Sequence, residues 1–251
     1  TPELLVELKN RHPERITLEP GSETRLGAAS NFGSLLDQTT ATYIMFADQD
    51  DVWLPEKVSK TLSLMKALEA KHGRHTPVLV HTDLRVVSED LTLIDDSLWT
   101  YQNLVQERLT SLNRLLVQNG ITGCTVMMNA ALATRCAGGV PRSAIMHDWW
   151  IGLVAAAFGV VGFLPEGTLL YRQHGRNNTG AKAWSLPHIC RRTVATFVDD
   201  DIPRSLRKTQ EQARAFLMHY GDYLSKENLE VVNSYAQLPA LSWLGRRRQI
   251  L

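Results

Sequence analysis

The chain has 251 residues, of which 44% are hydrophobic and 21% are charged, and its formal net charge is +1. This composition is typical of a globular protein with a sizeable core, and it excludes a disordered or fibrous chain. A charge so close to zero predicts no nucleic-acid partner. The three cysteines (Cys124, Cys136 and Cys190) are widely spaced in apolar surroundings, which predicts reduced thiols in a cytosolic protein rather than disulfides or a zinc site.

The first part of the chain alternates predicted helices and strands. The predicted elements are a helix over 2–11, a short strand over 15–19, a polar turn over 20–26, a helix over 27–37, a strand over 42–47, an amphipathic helix over 54–71, and a strand over 78–83 followed by a hairpin-like segment. This alternation predicts an α/β fold.

The pattern continues to about residue 175 and then changes. The predicted elements are an irregular aromatic segment over 99–109, a short helix over 112–118, a strand over 120–128, a helix over 130–137, a buried helix over 147–158, and short strands over 160–164 and 168–171. Beyond Trp184 the predicted elements are amphipathic helices over 188–198, 203–220, 225–236 and 239–250. The sequence therefore predicts an α/β domain over 1–182 and a helical region over 183–251.

Three carboxylates follow the central predicted strand. Asp48, Asp50 and Asp51 come directly after the run TYIMFA. Because ionised carboxylates are not packed unpaired into a core, they are expected just beyond the end of the strand, where open α/β sheets bind ligands. A hard divalent cation would relieve their mutual repulsion. The alternative is a solvated turn, or the N-cap of the helix that begins near Pro55.

Two further polar groups interrupt apolar elements. His147 and Asp148 open the predicted buried helix, and Arg172 and His174 follow the last predicted strand. Together with the acidic cluster they suit a phosphate-bearing substrate that is handled with a metal ion. Taken singly, Asp148 also fits a carboxylate that interacts with its own helix dipole, and His174 fits an ordinary loop histidine.

These segments resemble the family-2 glycosyltransferases, the inverting enzymes of the GT-A fold. TYIMFADQDDVWLPEKV is similar to the acidic signature of that family, HDWW to the place of its catalytic aspartate, and LYRQHGRNNTGAK to its C-terminal loop. SLNRLLVQNGITGC and VLVHTDLRVV resemble its bacterial rhamnosyltransferase-like branch. The likeness spans roughly residues 1–185 and implies a GT-A type α/β fold, with a mixed, mostly parallel sheet flanked by helices and a C-terminal helical extension.

The resemblance implies a role for each matching residue. Asp148 would be the catalytic base that deprotonates an acceptor hydroxyl, whereas Asp50 and His174 would bind Mg²⁺ or Mn²⁺ at the donor diphosphate. Asp51 would support the site or cap the following helix. The implied donor-binding residues are Asp48, Asp83 and Arg172, and the implied acceptor-binding residues are Thr122, Gly123, Trp149 and Trp150, whose two indole rings would form an apolar platform for a sugar.

The implied activity is metal-dependent, inverting transfer of a sugar, with rhamnose suggested by the branch. The donor would be a dTDP-, UDP- or GDP-sugar, and the acceptor would be a saccharide or a lipid-linked molecule in cell-surface polysaccharide synthesis. The expected location is the cytoplasm. Trp243 and Leu244, with the arginines at 246–248, predict peripheral contact with the anionic inner face of the plasma membrane, and the alternative is a merely solvated basic face.

The chain also departs from the family pattern. Family members begin with a strand that carries a nucleotide-binding loop and a second strand that ends in a DDGS-like turn, whereas this chain starts at the helix expected after that turn. The expectation is therefore an N-terminally truncated fragment that lacks one βαβ unit of roughly 30 residues. Two other functions stay open: a non-catalytic nucleotide-sugar-binding domain, and a metal-dependent phosphohydrolase. The phosphohydrolase ranks lower because it requires a nucleophilic aspartate near the first strand of its fold, and that strand is absent or cryptic in this sequence.

Overall fold

The computed structural model describes residues 2–19, 27–174 and 201–238. The helices are α1 (Pro2–Arg11), α2 (Gly27–Asp37), α3 (Lys57–His72), α4 (Leu98–Gln102), α5 (Leu112–Leu115), α6 (Ala130–Arg135), α7 (His147–Phe158), α8 (Asp201–Tyr220) and α9 (Lys226–Gln237). The strands are β1 (Tyr43–Met45), β2 (Val52–Trp53), β3 (Val78–Val87), β4 (Leu93–Asp95), β5 (Met127–Asn129) and β6 (Val160–Arg172).

The strands form one mixed sheet in the order β1-β5-β3-β6-β2, with β4 paired to β3. The long strands β3 and β6 are parallel and supply most of the sheet. Because β5 is antiparallel to both β1 and β3, strands β1, β3 and β6 run in one direction. Helices flank this sheet, so the predicted α/β fold of GT-A type with a C-terminal helical region is confirmed.

Side chains of β3 alternate between two cores. Val78 and Val80 pack with Met65 of α3, whereas Leu79 packs with the cluster that contains α7. This two-residue period is what a strand covered on both faces requires. Helices α3 and α7 therefore cover opposite faces of the sheet.

Helices α8 and α9 extend the core on the side of α7. Phe216 and Val232 belong to the same buried cluster as Trp150. A hydrogen bond adds to this packing: Asn228 Nδ2 donates to the carbonyl of Ala157 at 2.9 Å. None of the described helices is both long enough and apolar enough to cross a membrane.

Several predicted elements differ in the structure. Residues 16–19 form no strand, because this segment has no pairing partner among the described residues. Most of the segment 120–128 is irregular, with a 3-10 turn at Gly123–Thr125. The two strands predicted at 160–171 are one strand, β6, since a register shift opposite Thr82 and Asp83 accommodates Pro165, which has no N–H to donate.

Other predictions fall partly outside the described residues. The helices predicted over 203–220 and 225–236 are confirmed as α8 and α9. The polar turn over 20–26, the helices over 188–198 and 239–250, the domain boundary near residue 182 and the basic segment at 246–248 all lie outside the described residues.

Candidate functional site

A loop that carries the three carboxylates crosses the end of the sheet. Strand β1 lies at one edge of the sheet and β2 at the other, so residues 46–51, here named the acidic loop, pass from edge to edge. They leave the carboxyl end of β1, which runs in the same direction as β3 and β6. The acidic loop therefore lies where open α/β sheets bind their ligands.

Arg172, at the end of β6, fixes the acidic loop. Its backbone N–H donates to Asp51 Oδ1 at 3.2 Å, and its Nε donates to the carbonyl of Asp50 at 2.9 Å. Its Nη1 also donates to the carbonyl of Glu89 at 2.7 Å. The structure thus joins two segments that the sequence predicted to converge, and it shows the guanidinium bonded to backbone carbonyls.

The two predicted metal ligands are in direct contact. His174 Nε2 lies 2.7 Å from Asp50 Oδ2, and the two side chains are 20% and 24% exposed. An imidazole nitrogen and a carboxylate oxygen thus share one partly open position at the end of the sheet. Both groups are ordinary ligands of divalent cations.

A second group of possible ligand atoms lies where the acidic loop meets the turn at Gly123–Thr125. Oxygens of Asp48 and Asp51 and the Cys124 sulfur lie within 4.8 Å of one another. Burial raises the pKa of Asp48, with the Asp50 charge adding to it, and burial raises the pKa of Asp51 to about 6. These shifts mean that ionised carboxylates are costly here without a nearby positive charge.

The residues of the acidic loop fit a divalent cation. Asp51 Oδ2 is buried and makes no hydrogen bond of normal geometry within the described residues, although the Cys124 thiol lies beside the carboxyl group. Burial raises the pKa of that thiol well above its usual range, so carboxylate oxygens are the better ligands. An oxygen-rich set with an imidazole suits a hard or borderline metal ion.

Cys124 has a position that the sequence did not reveal. It was predicted as a core thiol, and it is indeed buried and free, yet its sulfur faces the acidic loop. The one signal was the glycine pair at 120 and 123, which indicates a close backbone approach in this segment.

Lys57 is a buried cation beside this cluster. Only 1% of it is exposed, and its Nζ donates to the carbonyl of Cys124 at 2.9 Å and lies 4.8 Å from the centroid of Trp53. Burial lowers its pKa to about 8. The sequence does not indicate this position, because a lysine in the first turn of an amphipathic helix is normally solvated.

Asp148 lies in the first turn of α7 and is 7% exposed. Its Oδ1 accepts hydrogen bonds from the backbone N–H of Trp149 at 2.6 Å and from Asn119 Nδ2 at 3.3 Å, and its Oδ2 accepts from the backbone N–H of Gly123 at 2.9 Å. Burial nevertheless raises its pKa to about 6, and the charge of Asp48 adds to this rise. The carboxylate is thus held in place and close enough to the acidic loop to interact with it.

His147 packs within an aromatic cluster. Its ring stacks on Phe32 at a centroid distance of 4.4 Å and meets the edge of Phe46 at 5.0 Å. Burial lowers its pKa to about 4, so it is neutral at physiological pH. A Cβ atom on Gly123 would lie 2.7 Å from His147 Nε2, so this close approach requires a glycine.

One predicted substrate contact is corrected, and a second predicted residue makes hydrogen bonds within the fold. Trp150 is fully buried and packs edge-on against Phe216, so its ring cannot form a platform for a sugar. Asp83 is 5% exposed, and its oxygens accept hydrogen bonds from the N–H groups of Leu84 and Trp99 and from the Ser97 hydroxyl. It therefore braces the start of α4, and its donor-binding role stays a prediction.

Other predicted acceptor residues lie near Asp148. Thr122 and Gly123 form the turn that meets its carboxylate. Trp149 is half-buried, and its Nε1 donates to the carbonyl of Leu115 at 2.5 Å. The acceptor roles of Thr122, Gly123 and Trp149 stay predictions.

Comparison with known proteins identifies the chain. The family model described as glycosyl transferase family 2 matches residues 1–132, which is more than half of the chain. The match contains the acidic loop and the turn at Gly123–Thr125, while Asp148, Arg172 and His174 lie beyond it. A search of curated proteins finds no significant match. The extent of the family match shows that this chain belongs to glycosyl transferase family 2.

Proposed function

We propose that this protein is a metal-dependent, inverting glycosyltransferase in which Asp148 is the catalytic base. The observation that carries the proposal is the position of Asp148, a buried carboxylate with a raised pKa beside a loop that can hold a cation. Family membership supports a nucleotide-sugar donor and an acceptor in general. The residues of this site suggest how the protein would bind the donor and activate the acceptor.

The donor diphosphate would lie over the acidic loop. Asp50 and His174 would hold Mg²⁺ or Mn²⁺ there, with Asp48 on the ribose or metal side of the nucleotide, and the bound ion would stabilise the charge that grows on the leaving diphosphate. Arg172 keeps the loop in place through its bonds to Asp50 and Asp51. Its predicted contact with a phosphate remains part of the proposal.

Asp148 would act on the acceptor. Its carboxylate takes the proton of an acceptor hydroxyl while that oxygen forms a bond to the anomeric carbon. The bond from this carbon to the diphosphate oxygen breaks on the opposite face, so the anomeric configuration inverts. With a pKa of about 6 the carboxylate is mostly ionised at neutral pH and is a stronger base than a solvated aspartate.

The finer assignments rest on the sequence resemblance. Rhamnose from dTDP-rhamnose is our first choice of donor, with UDP- and GDP-sugars as alternatives. We propose a saccharide or lipid-linked acceptor in cell-surface polysaccharide synthesis, with the reaction in the cytoplasm. The proposed peripheral membrane contact depends on residues 243–248, which lie outside the described residues.

Calorimetric titration with UDP, dTDP and GDP, each with Mn²⁺ and with EDTA, tests the donor site. We expect one nucleotide to bind only with Mn²⁺, and we expect Asp50→Ala to abolish this binding. Asp222→Ala removes an exposed carboxylate of the C-terminal region and is the matched control. Equal binding in EDTA, or unchanged binding by Asp50→Ala, would contradict the proposal.

A further inference from the structure

A cavity of about 210 Å³ opens beside Asp148. It lies between α4, the segment 119–122, the start of α7 and the end of β6. Its apolar walls include Leu98, Leu104 and Met146, and Tyr171 completes the lining on the side of β6.

The cavity also carries polar groups with fixed orientation. Asn119 Oδ1 accepts from the N–H of Ile121 at 3.0 Å, while its Nδ2 donates to Asp148 Oδ1 at 3.3 Å, so both ends of the amide are held. Gln102 and Thr122 add an amide and a hydroxyl to the lining. Hydrogen-bonding groups therefore stand beside apolar walls in a small space.

Charge indicates what kind of ligand this cavity suits. Among the described residues of its lining, Asp148 is the one charged group, and none of them is a lysine, arginine or histidine. A phosphate or carboxylate ligand would meet this carboxylate with no compensating cation from those residues, which low-polarity surroundings make costly. A neutral ligand rich in hydroxyl groups meets no such penalty.

Tyr171 places the cavity next to the donor side. The residue that follows it, Arg172, binds the acidic loop. Burial raises the pKa of Tyr171 well above its usual range, and Cys124 and the aspartates at 51, 48 and 50 add to this, so its hydroxyl stays protonated beside the acidic loop. A molecule in the cavity would thus have Asp148 and the donor side within reach.

We propose that this cavity is the acceptor site and that it takes one neutral saccharide ring, with any charged or lipid portion of the acceptor left outside. This inference rests on the proposed function and specifies its acceptor. A sugar ring has an apolar C–H face and a polar rim, which match the two kinds of lining. The volume lies below the roughly 300–1,000 Å³ of sites for drug-sized ligands, so it suits a single ring rather than a chain of them.

Leu104→Trp tests the assignment because a larger side chain at this half-buried position fills the cavity. The probes are methyl α-L-rhamnoside and methyl β-D-glucoside at millimolar concentration, observed by saturation-transfer NMR. We expect at least one glycoside to bind the unmodified chain, and at least a tenfold loss of affinity in Leu104→Trp. Val105→Trp is the matched control, because its neighbouring side chain is exposed and does not line the cavity.

Two results would overturn the assignment: no binding of either glycoside by the unmodified chain, or equal binding by Leu104→Trp. If thermal melting shows that Leu104→Trp does not fold, Gln102→Leu replaces it, and it is expected to weaken binding by removing a polar partner. The nucleotide titration of the unmodified chain is independent of this measurement. Glycoside binding without nucleotide binding would refute the donor site alone. Nucleotide binding without glycoside binding would refute the cavity assignment alone.

Discussion

Gly123 connects the turn beside the acidic loop to the proposed base, and Gly123→Ala perturbs that connection directly. The added Cβ would lie 2.7 Å from His147 Nε2 and 3.5 Å from Asp148 Oδ2. His147 cannot retreat freely, because its ring packs against Phe32 and Phe46. The turn must therefore move, and its hydrogen bond to Asp148 must lengthen.

Both effects have expected magnitudes. Overpacking of this kind costs about 1–3 kcal/mol, and a cost near 2 kcal/mol would lower Tm by roughly 4–8 °C in a chain of this size. A shift of Asp148 by ~1 Å would lower kcat about 100-fold. Differential scanning calorimetry and initial rates of sugar transfer measure the two effects.

Gly221→Ala is the matched control for this substitution. A Cβ on Gly221 would meet no atom within 4 Å, so a change in Tm of no more than about 1–2 °C is expected, with activity unchanged. If Gly123→Ala kept both the Tm and the kcat of the unmodified chain, the tight contact between the turn and α7 would be refuted.

Three further predictions concern two buried charged groups and one close contact with the backbone. We expect kcat/KM to rise with pH through about 6 and then to level off, because Asp148 must be ionised to accept a proton; a flat profile from pH 5 to 8 would argue against it. Lys57→Met should raise the free energy of unfolding by about 1 kcal/mol in urea titrations, because the relieved cost of burying the ammonium group outweighs the lost hydrogen bond to the carbonyl of Cys124; a less stable variant would contradict this. Gly159→Ala should cost at least about 3 kcal/mol, since its Cβ would lie 1.8 Å from the carbonyl oxygen of Pro77, and a melting curve like that of the unmodified chain would refute this contact.

Local patterns predicted the position of the acidic loop and the helices other than α4, which begins a segment that the sequence predicts to be irregular. The apolar spacing of α3 and the carboxylates that follow β1 are visible in short windows of sequence. The pairing of β2 with β6 at the far edge of the sheet is not visible in such windows, because only long-range contacts set the strand order. The sequence therefore indicated which residues leave the strand but not that they cross the sheet.

Side-chain direction was the harder part of the site. Helix α7 is apolar almost all round, so its sequence gave no indication that Trp150 faces the core while Trp149 is only half-buried. The sequence predicts that a strand ends at Asp83, but β3 continues to Val87, which puts this carboxylate within the strand and under α4. Both errors arise from tertiary packing.

The most direct test of the central claim compares sugar transfer by the unmodified chain and by Asp148→Asn, using the nucleotide sugar that the titration selects. Asparagine keeps the shape of the side chain but cannot act as a base. The account predicts that transfer falls about 10²- to 10⁴-fold while metal-dependent nucleotide binding is retained. Transfer within a few-fold of the unmodified rate would contradict it and would remove Asp148 as the catalytic base.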